Sequence, residues 1–544
     1  MGDAANSAPA EAERFAIGIS FGNSCSSIAR ISPEGKAEVI ANEEGDRQIP
    51  SILSYIDGEE YHGTQAKAQL VRNSANTVAY FRDFLGKEFK SIDPTPCHQS
   101  AHPQQQDSTV AFTIRDTESE TPNTVTVSEI TTRHFQRLRR SASDYLGKDV
   151  NAAVITIPTD FTDAQREALV ASAKAAGLDV LQLIHEPVAA VMAYDARPEA
   201  TVTDKLVVVA DFGGTRSDVA VVASRGGMYT ILATAHDYEL GGASLDQIII
   251  DHFAKEFMKK HKTDPRENAR GLAKLKLECE ATRKALSLSS NAQLSIESLV
   301  DGVDYGSTVN RTRFELLAGK VFSQFTALIQ QVVKKAELDV LDIDEVIFSG
   351  GVSHTPKLAS LTSNIFPEKT KILAPATSIT AVNPSELSAR GAAFQASLVQ
   401  EFEHEDIEQS IHPMVTVAPH LTKAIGVEFT SETDTTFQPL LSAETALPRT
   451  PHRSVTKPEP KAKEDKPAQD EDDSDFDSED EEEEETREIV WKTEKVVAEL
   501  AVKGVKAGSK IEVMVHVNPD LGLQIAVREV GSQNAVRGAV NGSA

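Results

Sequence analysis

One short pattern occurs twice in this chain, and few folds accommodate that repeat. Phe15-Ala16-Ile17-Gly18-Ile19-Ser20-Phe21-Gly22-Asn23-Ser24 is answered by Leu206-Val207-Val208-Val209-Ala210-Asp211-Phe212-Gly213-Gly214-Thr215. Each copy is an apolar strand followed by Ser or Asp, Phe, Gly and a small polar residue. Each leads into a second β-run, 26–31 and 218–222. Two hairpins in matching frames, about 190 residues apart, predict two duplicated lobes. Glycine at the turn lets backbone N–H groups come close to an anion and form a nest for phosphate oxygens. Two such nests predict a clamp on the phosphates of a nucleotide, held between the lobes. Gly350-Gly351, after a strand at 345–349, and Gly241-Gly242 add two further glycine pairs. The GxGxxG fingerprint and the GxxxxGK(S/T) loop are both absent, so neither a Rossmann nor a P-loop site is indicated.

Around the repeats, residues 15–400 alternate β-rich and helical patterns, which reads as α/β. The buried run 153–157 stops at Pro158. Thr162 opens a helix over 163–176, with Gly177 as its left-handed cap. A strand at 178–184 and a helix at 186–193 follow. Residues 251–290 carry long charged helical patterns, read as an inserted helical subdomain. After about 410 the pattern turns to short alternating runs at 425–429, 437–441, 496–502, 510–517 and 521–527. These predict an antiparallel β domain. The resulting division is a flexible 1–14, an α/β region 15–400, a polar linker 401–410, and a β domain 411–544. An acidic disordered loop, about 455–488, interrupts that last domain.

Charge bounds the partners. The 544 residues carry a net charge of −27, and 13 of the 16 residues from Asp470 to Glu485 are acidic. Repulsion and missing apolar residues predict that this run stays unfolded, as a solvated linker or as an arm for a basic partner. So acidic a chain argues against a broad nucleic-acid surface. Residues 1–14 lack the basic and apolar parts of a secretory signal, and no run of 18 apolar residues predicts a membrane span. Three distant cysteines (Cys25, Cys97, Cys279) give neither a disulfide framework nor a zinc pattern.

The residues also carry a resemblance. The stretches 16–22, 76–78, 153–158, 184–190, 211–218 and 240–242 resemble, in order, signatures of the seventy-kilodalton heat-shock chaperone (DnaK) family. Gly350-Gly351 with Pro356-Lys357, and Asn383-Pro384 with Gly391-Ala392-Ala393, continue the series. The resemblance implies a two-lobed actin-like ATPase fold with an inserted helical subdomain, then an antiparallel β-sandwich. It implies ATP as ligand, with Mg²⁺ beside it and no direct protein ligand for the metal. By position, Gly22, Asn23 and Ser24 would line the first phosphate loop, and Asp211, Gly213, Gly214 and Thr215 the second, with Gly241 and Gly242 in the same lobe. Glu280, Arg283, Lys284 and Ser287 share one helical face where the family holds adenosine. Gly350, Gly351 and His354 would close over base and sugar, with His354 in place of the usual Arg. Ser385 replaces an Asp of the last phosphate-side loop.

The departures concentrate at the phosphates. Ser20 stands where the family has an Asp that orients metal-bound water, and a hydroxyl does not replace that charge. Arg82, in Tyr80-Phe81-Arg82-Asp83, stands where the family has its catalytic Lys, and its planar head places water poorly. Arg216 replaces a Thr of the second loop, whereas Glu186 and Asp211 are retained. These changes predict ATP binding with little or no turnover; a compensated, still active ATPase is the alternative. Only 17 residues follow Val527, with three glycines among them, so no helical lid is expected after the sandwich. Within the family, this combination resembles the lidless Ssz-type subunits of the fungal ribosome-associated complex. That likeness implies a stable pairing with a J-protein of the zuotin type, and cytoplasmic attachment to ribosomes through that partner. It also implies stimulation of a second, ribosome-bound chaperone, with no nucleic acid or membrane bound directly. An ATP-driven peptide-binding chaperone and an actin-like phosphotransferase are the competing readings. The first of these requires a lid and a catalytic Lys, the second a general-base Asp in the cleft.

Overall fold

The computed structural model describes residues 14–119, 121–197, 200 and 203–402. In the C-terminal part it describes 425–430, 435–441, 452–455, 496, 498, 511–517, 522–530 and 535–540. Residues 1–13 of the segment expected to be flexible (1–14), most of the expected linker (403–410) and the acidic run fall outside the described residues. The chain divides into two units, the first ending at Thr416 and the second starting at Val417.

The first unit is built on two sheets of matching plan. In lobe I, β1 (Ala16–Phe21), β2 (Cys25–Ile31), β3 (Ala37–Ile40), β4 (Ala152–Ile157) and β5 (Asp179–His185) lie in the order β5-β4-β1-β2-β3. β1 runs antiparallel to β2, with Ile19 opposite Ile28, and parallel to β4, with Ile19 opposite Ile155. In lobe II, β6 (Lys205–Phe212), β7 (Ser217–Arg225), β8 (Met228–Asp237), β9 (Glu345–Ser349) and β10 (Lys371–Leu373) lie in the order β8-β7-β6-β9-β10. β6 is antiparallel to β7 and parallel to β9, with Val209 facing Ala220 and Ile347. The repeat in the sequence is thus a repeat of sheet position: each copy forms the central hairpin of its lobe. Central strands are covered on both faces, so they read as continuous apolar runs. All six residues of β4 are buried.

Helices cover these faces for local reasons. α1 (Val127–Leu146) starts at Thr126, which caps the Glu129 amide. α2 (Asp163–Ala175) starts with a capping box between Thr162 and Gln165 and ends before Gly177, whose φ of +82° suits a left-handed cap. α3 (Glu186–Asp195) follows β5 directly. The 251–290 region holds α4 (Gly242–His261) and α5 (Ala269–Leu288), and a hairpin, Asn291–Val300 with Val303–Asn310, is added to them. In the hairpin Ala292, Leu294 and Ile296 point inward while Gln293 and Ser295 face solvent, a period of two. The 251–290 region is thus helical as expected, and the hairpin that follows it, 291–310, adds a β element to the subdomain. α6 (Leu387–Val399) crosses α3 and β1 at very short range. A Cβ on Gly391 would sit 1.9 Å from the Ala189 carbonyl oxygen, and one on Gly18 would sit 2.1 Å from the Ala393 nitrogen.

In the second unit every described element is a strand. Ile425–Thr430 pairs with Thr435–Leu441, and His452–Val455, Ile511–Val517, Leu523–Glu529 and Ala535–Val540 form an antiparallel sheet in that order. Leu440, Leu441, Val513, Val515, Val517 and Leu523 make its small apolar cluster. Of the run 496–502 only Val496 and Ala498 are described, and neither lies in a strand. The last strand takes Gly538 into its interior, so the sequence beyond Val527 continues the sheet.

Candidate functional site

Both hairpin turns close in the same way. The Gly22 amide donates to the Cys25 carbonyl at 3.1 Å, and the Gly213 amide to the Arg216 carbonyl at 3.0 Å. The amides between them, on Asn23, Ser24, Gly214 and Thr215, donate to no group among the described residues. The two turns meet: Asn23 Nδ2 donates to Thr215 Oγ1 at 3.1 Å. A Cβ on Gly214 would lie 2.3 Å from Ser24 Oγ, so a side chain there would have to displace the Ser24 hydroxyl. The buried Asn23 Oδ1 has no partner. Gly241 and Gly242 sit behind the second turn, where α4 begins. The Gly242 and Ala243 amides bond the carbonyls of Gly213 and Gly214 at 2.9 and 2.8 Å.

Beneath the turns lies a charged floor. Ser20 lies within β1, level with Ser27 and Thr156. Arg82 is buried and bonds Asp83 at 2.7 Å, Glu186 at 3.4 Å and the Phe21 carbonyl at 3.4 Å. Glu186 is the first residue of α3. Asp211 accepts from Ser349 Oγ at 3.1 Å, and Gly350 packs so closely that a Cβ would meet Asp211 Oδ1 at 2.5 Å. Burial pushes both carboxyls up. Arg82 partly offsets this at Glu186, and Asp218 adds to it at Asp211. A cavity of about 10 Å³ between Glu186, Asp211 and Asp218 has about the room one water needs. Arg216 turns its guanidinium to Asp218 and Asp160.

The residues expected at the adenosine side form a separate charged row on α5. Glu280 bonds Lys67 of lobe I at 2.6 Å and Lys284 at 2.7 Å. Burial works against its charge, yet the two ammonium groups hold its carboxyl down at about 2. Arg283 bonds Asp246 at 2.6 Å and lies against Gly242. Ser287 lies one turn further on, where its carbonyl accepts from Arg311. Gly350, at a φ of +82°, and Gly351 lead into the short helix holding His354. His354 Nε2 lies 3.0 Å from Ser385 Oγ, and the Ser385 carbonyl accepts from Gln48 of lobe I at 2.7 Å. Asp246, Lys67, Asp160 and Tyr238 escaped the sequence reading, because their partners are distant in the chain and no spacing marks them.

The donors present fit a polyphosphate: four unpaired amides on two facing turns, an orphaned Asn23 oxygen, and glycines where a side chain would block approach. A direct metal site fits less well, since Glu186 is already faced by Arg82 and Ser20 supplies no carboxylate.

A family model described as Hsp70 protein matches residues 16–418. The chain belongs to the Hsp70 family. Hsp70 membership implies a nucleotide site in the first unit. Among Hsp70 relatives, the ribosome-associated complex subunit SSZ1 of Saccharomyces cerevisiae is 42% identical over 538 residues, 96% of this chain and 99% of that protein. A heat shock protein 70 homologue of Schizosaccharomyces pombe is 46% identical over 447 residues, 81% of this chain and 78% of its own length. The heat shock 70 kDa protein 14 of Danio rerio is 34% identical over 391 residues, 71% of this chain and 75% of its own. The likeness to the Ssz-type subunit extends through the second unit as well as the first. No helix among the described residues is long and apolar enough to cross a membrane.

Proposed function

We propose that this protein is the nucleotide-holding, hydrolysis-deficient Hsp70 subunit of a ribosome-associated complex. The observation that carries the reading is its likeness to SSZ1 over nearly the whole of both chains. In this reading residues 15–400 form the nucleotide-binding domain, 401–410 the linker and 411–544 a lidless peptide-binding-like domain. A J-protein of the zuotin type is the stable partner. Ribosome attachment in the cytoplasm runs through that partner, and a second ribosome-bound chaperone is stimulated.

The site chemistry supports holding without cleaving. Gly22, Asn23, Ser24, Gly213, Gly214 and Thr215 would hold the phosphates through backbone amides, which needs no catalytic side chain. Glu280, Arg283, Lys284, Ser287, Gly350, Gly351 and His354 would hold the adenosine end, with Ser385 beside His354. ATP, when bound, supplies the phosphate charge that these donors neutralise. Arg82 is engaged by Asp83 and Glu186, and Arg216 by Asp160 and Asp218. Neither cation is left to orient an attacking water. The retained Glu186 and Asp211, facing a cavity about one water in size, favour a second reading, an ATP-hydrolysing peptide-binding chaperone. ATP affinity and single-turnover hydrolysis, measured on one preparation, separate the two. Tight binding with turnover far below active Hsp70 proteins is expected. Robust hydrolysis abolished by Glu186→Ala would establish the second reading instead.

A further inference from the structure

Asp160 belongs to lobe I, in the turn after β4, yet both its oxygens are taken by lobe II. Arg216 Nη2 donates to Oδ1 at 3.0 Å, and the Tyr238 hydroxyl donates to Oδ2 at 2.9 Å. The guanidinium also lies over the Tyr238 ring, 4.6 Å from its centroid, so the two lobe II groups brace one another. Arg216 is 6% exposed. Within its own lobe, Arg216 is held from behind. Its Nε donates to Asp218 Oδ2 at 2.9 Å, and His236 Nδ1 lies 2.6 Å from Asp218 Oδ1. Ligand atoms of Asp160, Asp218 and His236 all fall within 4.8 Å of one another, a spacing that suits a cation. The chain's own guanidinium bridges the two carboxylates of that group.

We propose that Asp160, Arg216 and Tyr238 form a latch between the lobes that slows opening of the cleft and so the release of nucleotide. The inference rests on the nucleotide-holding reading above. Asp218 keeps Arg216 aimed when the lobes part, so the lobe II half stays assembled and Asp160 is the piece that leaves. Opening must break both bonds to Asp160 together and leave its carboxylate without either lobe II partner. Arg216 is buried, whereas the Asp160 side chain is 23% and Tyr238 59% exposed; loss of the partner of a buried, hydrogen-bonded arginine acts mainly on the dissociation rate. Asp160 and Tyr238 are positioning residues in this account, since neither belongs to the turns that would meet the phosphates.

The test uses the full-length protein and a methylanthraniloyl-labelled ATP chased with unlabelled ATP. Asp160→Asn is expected to release the label roughly tenfold faster than the unaltered protein, and Tyr238→Phe several-fold faster. Asp251→Asn is the control, because Asp251 of α4 pairs with Arg266 at 2.9 Å within lobe II. It should lower thermal stability and leave release unchanged. Unchanged release from Asp160→Asn overturns the latch. If the unaltered protein binds no labelled ATP, the nucleotide-holding reading fails by itself. The latch is then decided by hydrogen exchange without nucleotide, over 156–162 and 213–218. Faster exchange of both segments in Asp160→Asn supports the latch, and unaltered protection rejects it.

Discussion

Glu186 opens α3 with its carboxyl buried and one cation, Arg82, at 3.4 Å. Burial is the largest influence and pushes its pKa up to about 8; Asp211 and Asp218 add to the rise, and Arg82 and Arg216 oppose it. The folded protein therefore holds a proton that the unfolded chain has lost. That stability is fully present below the ordinary glutamate range and is lost as pH rises through the folded value. Unfolding free energy should fall as pH rises from about 5 to about 8, and Glu186→Gln should flatten the curve. Urea denaturation across that range measures it, and a slope unchanged by the substitution would count against the burial argument. At this scale the sequence was partly legible. Glu186, Asp211 and the two glycine turns stood out through the repeat and the family signatures. Two partners of Arg216 did not, because Asp160 and Tyr238 reach it from the turns after β4 and β8 and leave no periodic trace.

Among the elements, the contact of α6 with α3 and β1 admits no side chain at two glycines. Gly391→Ala would drive a methyl into the Ala189 carbonyl, which is backbone and has no rotamer to yield. A loss of about 3 kcal/mol is expected, read as a lowered urea midpoint. Gly319→Ala, at the first residue of the helix Gly319–Lys335, meets nothing within 4 Å. It should be neutral or stabilise by up to about 1 kcal/mol, because alanine restricts the unfolded chain. Equal effects at the two sites would show that the close crossing is not what holds α6 in place. Strand and helix order through the first unit was legible because its runs are long and its caps conventional, as at Thr162 and Gly177. The hairpin after α5 was lost behind the charge pattern of the helices before it. The strand Ala535–Val540 was hidden by its glycine, which reads as a break when seen without its neighbouring strand.

For the whole molecule, the predictions concern partners. Removing residues 411–544 should release the proposed J-protein partner while ATP binding by the first unit survives, since that unit has its own cores. Undiminished partner affinity in a pull-down with the shortened chain would place the interface in the first unit. Ribosomal RNA is a polyanion, so a chain of net charge −27 should not pellet with ribosomes alone at moderate salt. Its complex with the J-protein should pellet, with or without residues 470–485, because exposed charges beyond a Debye length are screened. Sedimentation of the isolated chain would require a basic site elsewhere on its surface.

The meeting of the two turns, Asn23 against Thr215 and Ser24 against Gly214, bears on how fast a ligand could enter. The amides that would receive phosphate lie on surfaces that touch each other, so the touching arrangement and the ligand compete for the same space. Entry then waits on the fraction of molecules whose turns have parted, and the apparent affinity is weakened by that fraction. In a stopped-flow experiment the observed association rate should climb with ATP concentration and then level off at the parting rate. A rate that keeps rising linearly would mean the turns yield on contact.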